Sequence, residues 1–151
     1  EQEIFEKWEK ILVPYRSKTN NFWYTNDVVY SSRDVFFIKS DILNLKYILS
    51  ILNSKLIYLW LYNRWKRKGE NLELYYSPLS EIPFKNVDIT YQKPFIDLVD
   101  QILEITKKED YLEREDLKDK VKVLESRIDD MVYKLYELTP EEIELVEESL
   151  K

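Results

Sequence analysis

Arg64, Lys66, Arg67 and Lys68 place four cations within five positions of the string "LYNRWKRKGENLELYY", residues 61–76. Guanidinium and ammonium groups at this density suit phosphate oxygens, in contacts that set register on a duplex without reading its sequence. A second group stands upstream in "PYRSKTNN", residues 14–21. There Arg16 and Lys18 suit phosphates or guanine edges, and Asn20 and Asn21 have the paired donor and acceptor that match an adenine edge. Arg33 adds a cation in the turn before "VFFIK". Tyr15, Trp23, Tyr24 and Trp65 are aromatic faces on which a base can stack or between which it can be wedged. Each feature also has a plainer reading. Cations that follow a helix complement its dipole, worth a few tenths to about 1 kcal/mol. Aromatic residues in short strands, such as Phe22, Phe36 and Phe37, usually build core.

The charge distribution bears on this choice. The sequence of 151 residues has formal net charge -6, yet residues 1–93 hold 14 Lys and Arg against 11 Asp and Glu, and residues 94–151 hold 9 against 18. Between residues 10 and 93 the balance is 13 against 7. A mildly basic region is thus joined to an acidic one, an asymmetry that points to a polyanion partner for the first or to two ordinary solvated surfaces.

Composition excludes much catalysis. There is no cysteine and no histidine, so disulfides, zinc ribbons, thiol nucleophiles and imidazole acid–base schemes are absent. A chain without cysteine fits a reducing cytoplasm. One glycine cannot form a phosphate-cradling loop. Carboxylates are frequent in the second half but alternate with Lys and Arg, as on solvated helix faces; Asp129 and Asp130 read as surface or hydrogen-bonded helix residues rather than an acid–base pair. No apolar run is long enough to span a bilayer, and no signal-peptide pattern opens the chain. The sequence begins "EQEIFEKWEK", without methionine, and is read as a fragment of a longer protein.

The elements that must position these residues follow from periodicity. "KILVPY" (residues 10–15) reads as a strand with Pro14 at its exit, and "RSKTNN" (16–21) as a loop. "FWYTNDVVYSS" (22–32) gives two short strand-like pieces around an Asn26-Asp27 turn, and "VFFIK" (35–39) a further strand. Asp41 is the expected cap of one helix running to about Asn63, with Leu45, Ile48, Leu49, Leu52, Leu56 and Leu59 on one face. The basic cluster and Gly69 then suit a helix C-terminus. "NLELYY" suggests another strand, and "SPLSEIPF" (77–84) one short helical turn closed by Pro83.

From Pro94 onward the pattern is helical. Leu117, Val121, Leu124, Ile128, Met131, Leu135 and Leu138 form a heptad seam in a helix over about residues 111–138. "TPEE" restarts a helix, with Thr139 as N-cap, Pro140 first and Glu142 completing a capping box. The expected architecture is α+β: a small mixed or antiparallel sheet packed with a long amphipathic helix over residues 1–93, then a helical hairpin or bundle over 94–151 packed on it.

The strings "KILVPYRSKTNNFWYTNDVVYSSRDVFFIK", "LKYILSILNSKLIYLWL", "KRKG" and "SPLSEIPF" resemble the TaqI-like C-terminal specificity domain. This is the target recognition domain of bacterial Type IIG restriction–modification enzymes and related adenine-specific DNA methyltransferases. The "ILNSKL" helix followed by an "LSEIPF" end is the most specific pair, and the tail "IDDMVYKLYELTPEEIELVE" resembles the closing helices of the same enzymes. The resemblance implies double-stranded DNA as partner and a methyltransferase domain N-terminal to this one. That domain binds S-adenosylmethionine through its own motifs and methylates adenine N6 after base flipping. An endonuclease domain, using Mg, can precede it. Neither an Asn-Pro-Pro-Tyr motif nor a glycine-rich cofactor motif is present in this sequence, so no catalytic, cofactor or metal residue is expected in the fragment. The resemblance places Arg16, Ser17, Lys18, Lys66 and Lys68 on the DNA-facing surface. Arg33, Arg64, Arg67, Asn20 and Asn21 are added by the charge and hydrogen-bonding argument alone. Asn53 and Ser54 of "ILNSKL" read as structural, bonded to neighbouring backbone, and Trp65 as a packed anchor.

Two other classes stay open on the sequence. One is a protein-interaction or dimerisation module that pairs through the 117–138 seam. The other is a nuclease, which needs a metal-binding carboxylate set that the spacing does not supply.

Overall fold

Alternation in "KILVP" sends Ile11 and Val13 to one face, where both are fully buried. This strand, β1 (Lys10–Pro14), is the centre of a three-stranded antiparallel sheet between β3 (Trp23–Thr25) and β4 (Val35–Ile38). The computed structural model describes residues 8–30, 35–64, 67–74 and 76–150. In the first sheet Ile11 pairs with Tyr24 and Ile38, and Leu12 with Trp23 and Phe37. The chain continues from β1 through Tyr15 into β2 (Arg16–Ser17), which joins a second antiparallel sheet of order β2-β6-β5, with β5 at Arg67–Lys68 and β6 at Asn71–Glu73. The Leu74 N–H donates to the Tyr15 carbonyl at 2.7 Å and extends that pairing. Residues 16 and 17 are therefore strand, where a loop was expected.

The strand expected after the Asn26-Asp27 turn does not form over residues 28–30. The Asp27 N–H instead donates to Thr25 Oγ1, and the buried Lys10 ammonium donates to the Asp27 and Trp8 carbonyls. Gly69 also has a different place from the one expected. It is no helix cap but the first central residue of the two-residue turn between β5 and β6, with φ +67°. A positive φ at the first central position alone is the II′ hairpin geometry, in which glycine carries no Cβ penalty.

The long helix expected over residues 41–63 is two helices, α1 (Leu45–Leu52) and α2 (Lys55–Arg64), capped at the start by Asn44 rather than Asp41. Asn44 accepts from the Lys46 N–H, and the break falls at Asn53-Ser54. Ser54 Oγ accepts the Ile57 N–H, the N-cap position for α2. A short α3 (Tyr76–Ser80) precedes Pro83, as the Ser-Pro signal predicts.

The C-terminal helices are α4 (Ile89–Thr106), α5 (Glu115–Leu135) and α6 (Pro140–Glu148), with a 3-10 turn at Tyr111–Glu113. α4 starts five residues before Pro94, because Asp88 caps it by accepting the Tyr91 N–H at 3.0 Å. α5 is shorter than expected at both ends. The Thr139/Glu142 capping box is present with Pro140 at the helix start, as the sequence predicts.

One hydrophobic core runs through all of this. Tyr47 of α1, fully buried, meets Phe95 of α4 edge to face at 5.3 Å between ring centres. The core continues through Leu52, Ile57 and Leu61 to Leu124, Ile128, Val132 and Leu135 of α5. The position 93/94, expected to separate two units, lies inside α4. The α5 seam is used within the molecule. Leu117, Val121, Leu124, Ile128 and Leu135 are buried, and α5 packs against α4, α2 and α1. Packing within the molecule is the usual use of so short a seam. The observed class is α+β, with both sheets antiparallel. Among the described residues no helix is long and apolar enough to cross a membrane.

Candidate nucleic-acid interface

The second sheet unites residues that are fifty positions apart in sequence. β6 lies between β2 and β5, with Arg16 opposite Glu73, Ser17 opposite Leu72, Arg67 also opposite Leu72, and Lys68 opposite Asn71. The two basic strings thus border the same strand. Of Arg67 and Lys68 only the backbone is described; Arg33, Lys66 and Trp65 lie outside the described residues.

The described cations sit beside carboxylates. Arg16 lies 3.3 Å from Glu73, Lys18 3.3 Å from Glu70 in the hairpin turn, and Arg64 3.6 Å from Glu81. Arg16 and Arg64 also lie over the rings of Tyr15 and Trp60, each at 5.4 Å. The cations are exposed, and so are Glu70 and Glu81, whereas Glu73 is buried. Ion pairs exposed on both sides contribute only about 0–1 kcal/mol. At Lys18 and Arg64 a phosphate oxygen can therefore replace the carboxylate at little cost, whereas Arg16 also compensates a buried carboxylate; the aromatic contacts keep both guanidinium planes oriented. Ser17 Oγ accepts the Thr19 N–H at 3.3 Å and shapes the start of the loop.

Asn20 requires a correction. Expected on the DNA-facing surface, it is only 6% exposed. Its amide donates both hydrogens, to the Leu52 carbonyl at 2.7 Å and the Ser54 carbonyl at 2.9 Å. An amide with both donors so engaged inside the protein cannot read an adenine edge. Its neighbour Asn21 is exposed, as a base-reading residue must be.

Asn53 completes the same joint from the other side. Phe22 N–H donates to Asn53 Oδ1 at 2.9 Å, and Asn53 Nδ2 donates to the Phe22 carbonyl at 3.1 Å. The side chain thus pairs with a peptide unit as a neighbouring strand would. Sequence reasoning gave Asn53 and Ser54 local backbone partners. That holds for Ser54, whose hydroxyl donates to the Ile51 carbonyl at 2.6 Å. For Asn53 the partner is a loop residue 31 positions upstream. The available signal was the joint presence of "TNNF" and "ILNS", two amide-rich strings in otherwise apolar surroundings.

On its other flank the helix break meets α5. Asp129 Oδ1 accepts the Lys55 N–H at 2.9 Å and so caps α2 from a distant helix. Burial raises the Asp129 carboxyl to about 6, against the opposing pull of the Lys55 N–H and ammonium, with Glu147 and Glu125 adding like charge. Lys55 Nζ donates to Glu147 at 2.7 Å, and Tyr133 donates its hydroxyl to the other Glu147 oxygen at 2.8 Å. Asp129, Lys55, Glu147 and Tyr133 are thus each engaged within the protein. Among the described residues no cluster of three or more acidic side chains could hold a metal ion.

The sequence pattern of the TaqI-like C-terminal specificity domain matches residues 1–84. That span includes both sheets, α1, α2, α3 and the Asn20–Asn53 joint. Two curated relatives from Haemophilus influenzae are 34% identical to this chain over 94 residues: the Type II methyltransferases M.HincII and M.HindII. Each alignment covers 56% of this chain but 19% and 18% of the respective relative, so the matched stretch is about a fifth of their length.

Proposed function

This chain belongs to the TaqI-like C-terminal specificity domain family, and on that premise we propose that it recognises a short double-stranded DNA sequence for a Type II restriction–modification methyltransferase. The observation that carries the reading is the second sheet. It joins the Arg16–Lys18 segment and the Arg67–Lys68 strand across β6, in the half of the chain whose charge is net positive. Arg16, Lys18, Arg64, Lys66, Arg67 and Lys68 hold phosphates, with Arg33 as a further contact. Asn21 is exposed and Ser17 half-buried in the same segment as Arg16 and Lys18. The acidic helices stay off the DNA, since the phosphate backbone repels their charge.

In this reading methyl transfer belongs to a separate domain of the same protein. That domain binds S-adenosylmethionine and directs its methyl group to N6 of an adenine in the DNA, and this chain docks on it. The protein works in the cytoplasm, where its DNA substrate lies. Cleavage, where a parent has it, belongs to a further domain and its Mg.

Fluorescence anisotropy on duplex DNA at several salt concentrations tests the phosphate surface. Neutralising about four phosphates gives log affinity against log salt a slope of roughly -3.6. A measurable affinity with no salt dependence would overturn the reading.

A further inference from the structure

Residues 20–23 alternate between anchor and display. Asn20 and Phe22 point inward and are 6% and 2% exposed, whereas Asn21 is exposed and Trp23 is 69% exposed. The inward pair is fixed at several points. Asn20 is bonded to two carbonyls at the α1/α2 break, the Phe22 peptide unit is paired with Asn53, and the Phe22 ring lies in the core. Trp23 opens the edge strand β3, so the first sheet fixes its backbone as well. A large indole is thus presented to solvent from a backbone held on both sides. The same short segment carries Lys18, whose Cα lies within roughly 18 Å of that of Trp23, because five residues reach no further.

From this arrangement we infer that Trp23 is a base-contacting side chain that inserts at an opened base step of the duplex and stacks there, with Asn21 beside it and Asn53 as its positioning residue. The inference rests on the DNA-recognition reading and assigns within it a role distinct from that of the cations. An indole has no charge, so it cannot neutralise a phosphate. Its π-face and apolar area suit a base, and a rigid mount lowers the entropy lost on insertion.

The experiment separates the two roles by salt dependence. The full chain is first used to select a preferred duplex from a library with one randomised segment. Affinities for that duplex and for a scrambled one of the same composition are then measured across salt for the wild type, W23A and W23F. The expected result is that W23A binds the selected duplex about tenfold more weakly. The slope of log affinity against log salt stays at the wild-type value, because no phosphate contact is lost. W23F, which keeps an aromatic face, lies between the two. Trp23 is exposed, so both variants should melt as the wild type does, which separates a binding loss from unfolding. Equal affinity of W23A and wild type would overturn the inference and leave DNA recognition standing. So would an equal loss on both duplexes with a shallower slope, since Trp23 would then act only through the phosphate contacts. Failure of the wild type to bind any duplex would instead overturn the reading on which the inference rests.

Discussion

Asn20 shows how a residue of suitable chemistry can be committed elsewhere. Its amide matches an adenine edge on paper, and its neighbours are basic. Nothing local distinguishes it from Asn21, because the two differ only in which way the strand-like alternation turns them. What decides is a tertiary contact: the Leu52 carbonyl at the end of α1 takes one Asn20 N–H, and the Ser54 carbonyl, which also accepts the Tyr58 N–H, takes the other. The role has a sharp test. Asn20→Ala strips the Leu52 carbonyl of its side-chain donor and leaves the Ser54 carbonyl with the Tyr58 N–H alone, which should cost about 1–3 kcal/mol of stability. Asn20→Asp should cost more, because a carboxylate would face two carbonyl oxygens inside the protein, where a buried charge needs a donor. Denaturant unfolding of the two variants checks the order. If instead Asn20 reads bases and holds nothing, both variants would unfold at the wild-type midpoint.

At the scale of elements, the break between α1 and α2 is the joint of the molecule. The leucine pattern runs through it without interruption, which is why periodicity alone predicts one helix. The break is set by Asn53, by Ser54 as the cap of α2, and by Asp129 reaching from α5 to the Lys55 N–H. Of these only the Asn-Ser pair was visible in the sequence. A cap supplied 74 positions away leaves no local signal. The same limit applies to β2 and β5, two residues each, which exist because β6 lies between them. By contrast β1, β4, α3 and the Thr139/Glu142 capping box were legible, since alternation and capping residues act within a few positions. The Asp129 cap predicts a pH dependence. Its carboxyl, raised to about 6 by burial, binds its proton more tightly in the folded than in the unfolded chain. Its stabilising contribution is therefore complete below the ordinary carboxylate range and is lost as pH rises to about 6. Asp129→Asn keeps an acceptor for the Lys55 N–H without the charge. Thermal melts from pH 4 to pH 8 should show the variant gaining on the wild type by about 1–3 kcal/mol as the pH increases. A difference that stays constant across that range would mean that Asp129 titrates alike in both states.

For the whole molecule, the charge division and the structural division do not coincide. Charge changes sign near residue 93, and the family pattern ends at Phe84, yet the core crosses both points. Composition reports what each surface presents to solvent and to a polyanion, whereas folding depends on which apolar faces need covering. The buried faces of α1 and α2 are covered by α4 and α5, which supply Phe95, Leu98, Val99, Leu124, Ile128, Val132 and Leu135 to the common core. Seven buried side chains at about 1.5–3 kcal/mol each exceed 10 kcal/mol in sum, comparable with the whole stability of a typical domain, about 5–15 kcal/mol. A chain ending at Lys93 should therefore fail to fold by itself, although it keeps every candidate DNA contact. It would also cut α4 after its fifth residue. The expected outcome is a near-ultraviolet circular dichroism signal without tertiary features and no cooperative melt for residues 1–93, against both for the full chain. A cooperative melt of the shortened chain would show that the sheets with α1 and α2 form an independent unit. The acidic helices would then be an appendage rather than the cover that holds the recognition surface in shape.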